Sequence, residues 1–307
     1  MSDSDFQKSA RRAGSRLLRF PDFQAATRSD FAGARIAIFI HGFTADAGYM
    51  KDMMHQFAGA GFCVLAFEYP SDRGNQHSAR VLKELLELND VQGLISSQRV
   101  SLVCHSMGGL VARALVALEN GGKYVKDVIT LGTPNNGTLH NRWVLRLMLS
   151  WGEFVSGLNP QAFARNTLAG RELTENDPAP TFLSRLLAAS PASGVQYFSI
   201  SGGYSALEFG SSKIKNRLGN AYLQALFSQP NDGLVEESNS DLSQPQYHAC
   251  AKNCRHFRSY AEYAYTNHSN LVKNQTVLSL ALSCVDPPGP TAQEYVETAL
   301  ARAESSG

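Results

Sequence analysis

One short segment combines a nucleophile with the backbone shape that such a nucleophile needs. The residues Cys104-His105-Ser106-Met107-Gly108-Gly109 stand between a run typical of a buried strand and a run typical of a helix. A sharp strand-to-helix turn lifts a serine hydroxyl clear of a sheet if small residues lie two positions away on each side. Those residues are Cys104 and Gly108, so the pattern is C-x-S-x-G rather than G-x-S-x-G. Ser106 is therefore a candidate nucleophile, and an ordinary turn with a surface serine is the alternative.

The elements that would position this serine alternate between strand and helix. Apolar runs rich in β-branched residues predict the strands, and apolar residues at helical spacing predict the helices. Such alternation predicts an α/β fold with a parallel sheet covered on both faces. The predicted strands cover 34–40, 62–67, 99–104, 125–131, 195–200 and 257–265, and the predicted helices cover 49–57, 78–88, 109–118, 271–283 and 291–303.

We predict one main domain, at residues 34–284. Residues 1–33 are mixed and polar and are interpreted as a lead-in, and residues 285–307 as a tail. The regular pattern breaks after residue 137, and residues 138–190 are predicted to form a helical insertion that is rich in large apolar residues. A lid over the serine and plain packing on the sheet are both open interpretations of this insertion.

Several segments resemble the lipase and esterase branch of the α/β-hydrolase superfamily. They are His41-Gly42-Phe43, Cys104–Gly109, Leu131–Gly137, Asn231–Val235 and the histidine-bearing loop Asn267–Leu271. The Gly-Thr-Pro-Asn-Asn-Gly run looks most like bacterial triacylglycerol lipases and inositol-deacylase-like lipases. The resemblance covers most of the chain, and the order Ser, Asp, His is that of this fold. It implies an α/β-hydrolase fold, with a mostly parallel sheet flanked by helices and a helical lid insertion.

The resemblance also implies a catalytic triad of Ser106, Asp232 and His268. His268 follows the last predicted strand, where a loop can reach the carboxyl end of the sheet, and it would act as the base. A surface histidine is the alternative. Asp232 lies in an Asn-Asp-Gly run and would orient the imidazole, whereas a plain tight turn is the other interpretation of that run.

Backbone and apolar groups complete the candidate site. Met107 directly follows the nucleophile, so its N–H would form half of an oxyanion hole, and the resemblance assigns the other half to Phe43. Met53 and Met54 would line an acyl pocket together with Trp143 and Leu147 of the insertion. A methionine-rich stripe at helical spacing is more often part of a core.

A second group of reactive side chains comprises His248, Cys250, Cys254 and His256. Zinc accepts such a ligand set, but the spacing matches no well-known zinc module. A local disulfide between Cys250 and Cys254 is a second interpretation, and two unpaired thiols are the third. We expect no metal and no cofactor, because ester hydrolysis by an activated serine needs neither.

Composition excludes several classes of protein. The 307 residues carry 28 Lys and Arg against 27 Asp and Glu, a net charge of +1, which excludes a general nucleic-acid binder. No apolar run reaches the ~18 residues of a membrane-spanning helix. The first residues also lack the apolar stretch of a secretory signal. We therefore expect a cytoplasmic protein, with export that reads no N-terminal signal left open.

These patterns predict a serine lipase or esterase that acts on acyl esters through an acyl-serine intermediate. The apolar insertion favours lipid esters and transient contact with a membrane surface. A phospholipase-type effector directed at lipids and a non-catalytic binding protein with the same fold are the other hypotheses. Acyl transfer to an alcohol is also open, and the sequence makes no prediction of oligomeric state.

Overall fold

The computed structural model describes residues 14–31, 35–43, 45–90, 93–137, 168–173, 181–190, 192–203, 230–259 and 266–286. Within these residues the strands are β1 Arg16–Arg19, β2 Gln24–Ala25, β3 Arg35–Ile40, β4 Phe62–Glu68, β5 Val100–His105, β6 Val125–Leu131, β7 Gln196–Gly202 and β8 Cys254–Ser259. They form one sheet in the order β2-β1-β4-β3-β5-β6-β7-β8. Pairing is parallel from β4 to β8 and antiparallel on both sides of β1.

Helices cover both faces of this sheet, as the alternating pattern predicts. The α-helices of the described residues are α1 Lys51–Gly59, α2 Asn75–Asn89, α3 Leu94–Gln98, α4 Met107–Ala117, α5 Leu168–Leu173, α6 Phe182–Ala188, α7 Glu237–Ser240, α8 His248–Ala251 and α9 Gln275–Val285. Successive β3 residues point to opposite faces of the sheet. Ile38 packs in the core cluster on the face covered by α2 and α4, and Phe39 packs in the core cluster on the face covered by α1 and α9. Burial on both faces explains why the β3 sequence is apolar almost throughout.

The sheet begins earlier than the predicted domain boundary at residue 34. Strands β1 and β2 lie in the segment interpreted as a lead-in, and β1 pairs with β4. Leu17 and Leu18 are buried on opposite faces of the sheet. Strand β1 has only four residues, of which the first and the last are arginines, so its pattern is too short to be recognised in the sequence. Its pairing with the distant strand β4 makes it stable.

The described parts of the predicted insertion pack as core. Helices α5 and α6 bury Leu173, Phe182 and Leu186 in the same cluster as α4. The Glu172 carboxylate of α5 accepts hydrogen bonds from the backbone N–H and side-chain amide of Asn75, so it caps the N-terminus of α2. The predicted lid therefore stays a prediction, and its most apolar stretch lies outside the described residues.

Predicted and observed element ends differ mainly near the C-terminus. The last helix begins at Gln275 rather than at residue 271, because Asn274 accepts the N–H groups of Thr276 and Val277 as its N-cap. The predicted strand 257–265 overlaps β8, Cys254–Ser259, which begins three residues earlier, and residues 260–265 and the predicted helix 291–303 lie outside the described residues. In the described part of the chain, no helix has both the length and the apolar character that crossing a bilayer requires.

Candidate active site

The turn between β5 and α4 holds Ser106 in a strained backbone conformation. Its φ of 52° and ψ of −126° lie outside the regions that residues with a side chain usually adopt. The Ser106 N–H donates to the Leu131 carbonyl at 2.8 Å, so the turn is tied to β6. A Cβ at Gly108 would lie 2.3 Å from the carbonyl oxygen of Ile40, so only glycine allows this approach of α4 to β3. Cys104, the departure from the usual glycine, is fully buried in the core.

Asp232 and His268 form a direct, buried hydrogen bond. Nδ1 of His268 lies 2.7 Å from Oδ2 of Asp232, and the backbone N–H of His268 donates to the Asp232 carbonyl at 2.8 Å. The other carboxylate oxygen accepts the N–H groups of Leu234 and Val235 at 3.0 and 2.8 Å. A carboxylate only accepts, so Nδ1 of His268 carries the hydrogen and Nε2 keeps its lone pair. The pair thus has the tautomer that a general base requires.

Gly132 makes room for this pair. Its φ is +57°, and a Cβ there would lie 2.7 Å from Oδ2 of Asp232 and 3.1 Å from Nδ1 of His268. A substitution would therefore be strained in its backbone and would also push the two side chains apart. The first glycine of the Gly-Thr-Pro-Asn-Asn-Gly run is thus explained by the approach of the carboxylate and the imidazole to the end of β6.

The remainder of that run ties the serine turn to the Asp232 segment. Thr133 donates its hydroxyl to the Ser106 carbonyl at 2.8 Å. Asn135 donates its amide to the Ser240 carbonyl at 2.9 Å, and its own side-chain oxygen accepts from buried Arg113 at 3.0 Å. The loop therefore connects the turn at Ser106, the helix α4 that follows this turn and the short helix α7 that follows Asp232.

The predicted oxyanion-hole residues lie where the fold allows that role. Met107 is the first residue of α4, and the first N–H groups of a helix have no acceptor within the helix. Gly42, just before Phe43, lies against the candidate nucleophile, because a Cβ at Gly42 would lie 3.0 Å from Cβ of Ser106. The positive end of the α4 dipole also favours negative charge at this point.

Two buried histidines border Gly42 and are held neutral. Burial, together with the neighbouring His268, lowers the pKa of His105 to about 3. Burial also lowers the pKa of His41, whose ring stacks on Tyr69 with centroids 4.4 Å apart. Neither ring therefore carries a charge near neutral pH, and the region around Gly42 keeps uncharged imidazoles beside the nucleophile.

The low pKa of His105 predicts that the protein loses stability in mild acid. The ordinary pKa of histidine is 6.5. Below this pH, His105 binds a proton in the unfolded chain but not in the folded protein. Between pH 7 and pH 5 this one residue lowers the free energy of unfolding by about 2 kcal/mol. We expect urea unfolding to show this decrease, and His105→Gln to reduce the pH dependence by about the same amount. An equal pH dependence in the two proteins would contradict the prediction.

A second serine, histidine and carboxylate also meet, at β7 and β8. Nδ1 of His256 lies 2.8 Å from Oγ of Ser199 and 3.6 Å from a carboxylate oxygen of Asp241. Ser199 is fully buried within β7, and its oxygen also accepts the N–H of Leu242 at 3.3 Å. Ser199 and Asp241 approach the same imidazole nitrogen, whereas a proton relay needs them on opposite nitrogens. Oγ of Ser201 lies 3.3 Å from the other nitrogen, Nε2, but Ser201 is only 2% exposed within β7. The contacts of this network link β7 and β8 to the segment after α7.

The cysteine and histidine cluster is only partly described. Cys250 and Cys254 are free thiols, and burial raises the pKa of Cys254 to about 12. His256 belongs to the network with Ser199, and the side chain of His248 lies outside the described residues. No group of three side chains suited to a metal ion occurs within the described ranges.

Two of the four predicted acyl-pocket residues lie in described parts of the chain, and both are core residues. Met53 and Met54 are 0% and 1% exposed and lie in the core cluster formed with α9. The structure therefore places both in the core, the alternative that the sequence left open. Trp143 and Leu147 lie outside the described residues.

Comparison with known families agrees with this architecture. The sequence model of the family described as "Alpha/beta hydrolase family" matches residues 37–266, more than half of the chain. The chain belongs to the alpha/beta hydrolase family. No curated protein matches its sequence at a significant level.

Solved structures of the same fold include enzymes named as lipases. Bacillus licheniformis lipase BlEst2 in its mature form is 21% identical with a TM-score of 0.55, and the match covers 82% of this chain and 92% of that one. Aspergillus fumigatus lipase B is 14% identical with a TM-score of 0.55, covering 94% and 59%. Phospholipase PlaB from Legionella pneumophila is 19% identical with a TM-score of 0.52, covering 69% and 46%. These likenesses confirm the α/β-hydrolase fold, with its mostly parallel sheet flanked by helices.

Sequence reasoning missed the residues that join the candidate site of this alpha/beta hydrolase together. Thr133 and Asn135 stand in the Gly-Thr-Pro-Asn-Asn-Gly run, and Arg113 stands in the predicted helix 109–118, but the sequence analysis assigns no role to any of the three. The signal for them was present, because a buried arginine and a run of asparagines need hydrogen-bond partners. The contact of His105 with the His268 loop could not be predicted, because it depends on how β5 and that loop meet.

Proposed function

We propose that this alpha/beta hydrolase is a serine carboxylic-ester hydrolase, with Ser106 as nucleophile, His268 as base and Asp232 as the carboxylate that orients it. The observation that carries the proposal is the 2.7 Å hydrogen bond from Nδ1 of His268 to Asp232. This bond leaves Nε2 of His268 as the proton acceptor. The strained turn at Ser106 supports the assignment, because a strained nucleophile turn is typical of these enzymes.

The reaction follows from these assignments. Oγ of Ser106 attacks the ester carbonyl while Nε2 of His268 takes its proton, and the resulting imidazolium is stabilised by Asp232. The imidazolium then protonates the leaving alcohol, which leaves an acyl group on Ser106. Water attacks this acyl group with His268 again as base, and the acid is released with Ser106 restored. Each proton that His268 accepts is returned within the same half-reaction.

Negative charge develops on the carbonyl oxygen in the transition state of this reaction, and the active site must stabilise it. We assign its stabilisation to the backbone N–H groups of Met107 and Phe43, at the N-terminus of α4 and after Gly42. The neutral state of His41 and His105 supports this arrangement, because neither ring adds a competing charge beside the nucleophile.

Acyl esters of lipids are the substrate class that we favour. The apolar composition of residues 138–190 supports this choice, since a lid with an apolar face would bind acyl chains or a lipid surface. Among the proteins of similar fold are two named as lipases and one named as a phospholipase. Phospholipid hydrolysis is therefore the second candidate activity, and the same site would perform it.

Hydrolysis of p-nitrophenyl esters of increasing acyl length tests this proposal. We expect turnover to rise from acetate to long-chain esters, because a longer chain gains binding energy from apolar contact. Phosphatidylcholine micelles, assayed in parallel for released fatty acid, test the phospholipase candidate. A fluorophosphonate probe followed by peptide mass spectrometry is expected to modify Ser106 and to leave Ser199 unmodified.

Each outcome of this assay decides between hypotheses. Turnover confined to short esters would support an esterase and contradict the lipid preference. Folded protein that neither hydrolyses any ester nor reacts with the probe would overturn the enzyme proposal and favour a binding protein. Modification of Ser199 in place of Ser106 would overturn the assignment of the nucleophile.

A further inference from the structure

The imidazole of His105 contacts the backbone of the proposed base. Nε2 of His105 lies 2.9 Å from the carbonyl oxygen of His268, although the two residues are 163 positions apart in the chain. A carbonyl only accepts, so Nε2 of His105 carries the hydrogen and donates it. The two rings also pack together, with centroids 4.8 Å apart. The residue before the nucleophile therefore holds the residue that activates it.

This hydrogen bond does not depend on pH in the working range. His105 is buried, and its low pKa keeps the ring neutral well below neutral pH. The donating tautomer is selected by the His268 carbonyl, since the other nitrogen, Nδ1, has no acceptor among the described residues. His105 thus acts as a fixed neutral donor rather than as an acid or a base.

Tyr49 makes a second contact to the same loop. Burial raises the pKa of Tyr49, and the neighbouring Ser269, the residue after the proposed base, opposes part of this rise. The Tyr49 ring also packs on His105, with centroids 5.4 Å apart. Tyr49 and His105 come from different parts of the fold, one before α1 and the other at the end of β5. Two side chains therefore converge on adjacent residues of the histidine loop.

Asp232 binds the backbone N–H of His268, on the opposite side of this residue from the carbonyl that His105 contacts. The His268 N–H donates to the Asp232 carbonyl, while the His268 carbonyl accepts from His105. Residues 268–273 form turns whose own backbone hydrogen bonds, such as Lys273 N–H to the Asn270 carbonyl, lie within the loop. The contacts of Asp232 and His105 tie the His268 end of this loop to the rest of the fold, and a misplacement of a general base by about 1 Å can cost 10²-fold in rate.

We propose that His105, assisted by Tyr49, is a positioning residue that fixes the backbone of His268 so that its imidazole stays aligned between Asp232 and Ser106. This inference rests on the proposed function for its catalytic consequence. It deepens that function, because it assigns the histidine of the C-H-S-M-G segment a role in holding the base.

Two substitutions of matched length test the proposal. His105→Gln places an amide N–H where Nε2 of the imidazole stands, and His105→Met has a similar length but no donor. We expect His105→Met to lower kcat for a p-nitrophenyl ester by about 10- to 100-fold with little change in KM, because the donor acts on alignment and not on substrate binding. We expect His105→Gln to recover at least tenfold of this loss. Tyr49→Phe, which removes only the hydroxyl, is expected to lower kcat by about 3- to 10-fold.

A readout independent of activity separates this inference from the proposed function. In protein labelled with ¹⁵N-histidine, the proton on Nδ1 of His268 gives a low-field resonance through its hydrogen bond to Asp232. We expect this resonance in the wild type and in His105→Gln, and we expect it broadened or lost in His105→Met while circular dichroism shows a folded protein. Equal kcat and equal resonances in the Gln and Met variants would overturn the inference. An inactive wild type with the same pattern of resonances would overturn the proposed function and leave the positioning role supported.

Discussion

Ser106→Ala is expected to reduce kcat/KM for ester hydrolysis by about 10⁴-fold or more, the largest effect of any single substitution in this protein. In the proposed mechanism, Oγ of Ser106 forms the bond to the acyl group. Removal of this oxygen leaves only the oxyanion hole and substrate binding to act on the ester. Ser106 also has a strained positive φ, which alanine tolerates no better, so little change in the melting temperature is expected. Steady-state kinetics and thermal unfolding of the variant measure both effects.

Ser199→Ala is the matched control for this experiment. Ser199 is also hydrogen-bonded to a histidine near a carboxylate, but it is buried in β7. We expect the Ser199→Ala variant to keep its activity within a few-fold and to lose about 1 to 2 kcal/mol of stability through the unsatisfied N–H of Leu242. Loss of activity in this variant, with activity retained after Ser106→Ala, would move the nucleophile to β7.

Asp232→Asn is expected to reduce kcat by about 10³- to 10⁴-fold. An asparagine oxygen can still accept the N–H groups of Leu234 and Val235, so the loop keeps its backbone contacts. The amide NH₂ then faces Nδ1 of His268 and donates to it, which moves the imidazole hydrogen to Nε2. An Nε2–H cannot accept the proton of Ser106. The prediction is thus a large loss of kcat with a small change in stability.

Asp241→Asn provides the matched comparison for the carboxylate. Asp241 lies beside His256 in the second network and also accepts hydrogen bonds from Ser243 and Gln244. We expect this variant to keep its esterase activity, measured with the same p-nitrophenyl ester. Wild-type kcat in Asp232→Asn would contradict the assignment of Asp232. A loss confined to Asp241→Asn would give the orienting role to the other carboxylate.

Much of the fold could be predicted from the sequence because its central strands are local and unambiguous. Strand β6 is observed over Val125–Leu131, as predicted, since this short segment is rich in β-branched residues and its last four residues are all buried. Strands β1 and β2 were missed because their stability comes from pairing with β4 and not from their own short pattern. The start of α9 was misplaced because capping by Asn274 depends on where the preceding loop places that side chain.

The sequence by itself determined the residue types of the site and the turn that presents the nucleophile. Both depend on neighbours along the chain, namely the strand before Ser106, the glycine at 108 and the helix after it. Only the tertiary structure decided which histidine meets which carboxylate. Asp232 pairs with His268, and Asp241 lies beside His256. The hydrogen bond from His105 to the His268 backbone was decided there as well. These contacts join residues that are far apart in sequence, so they depend on the order of the strands in the sheet and on the way the loops meet at its edge.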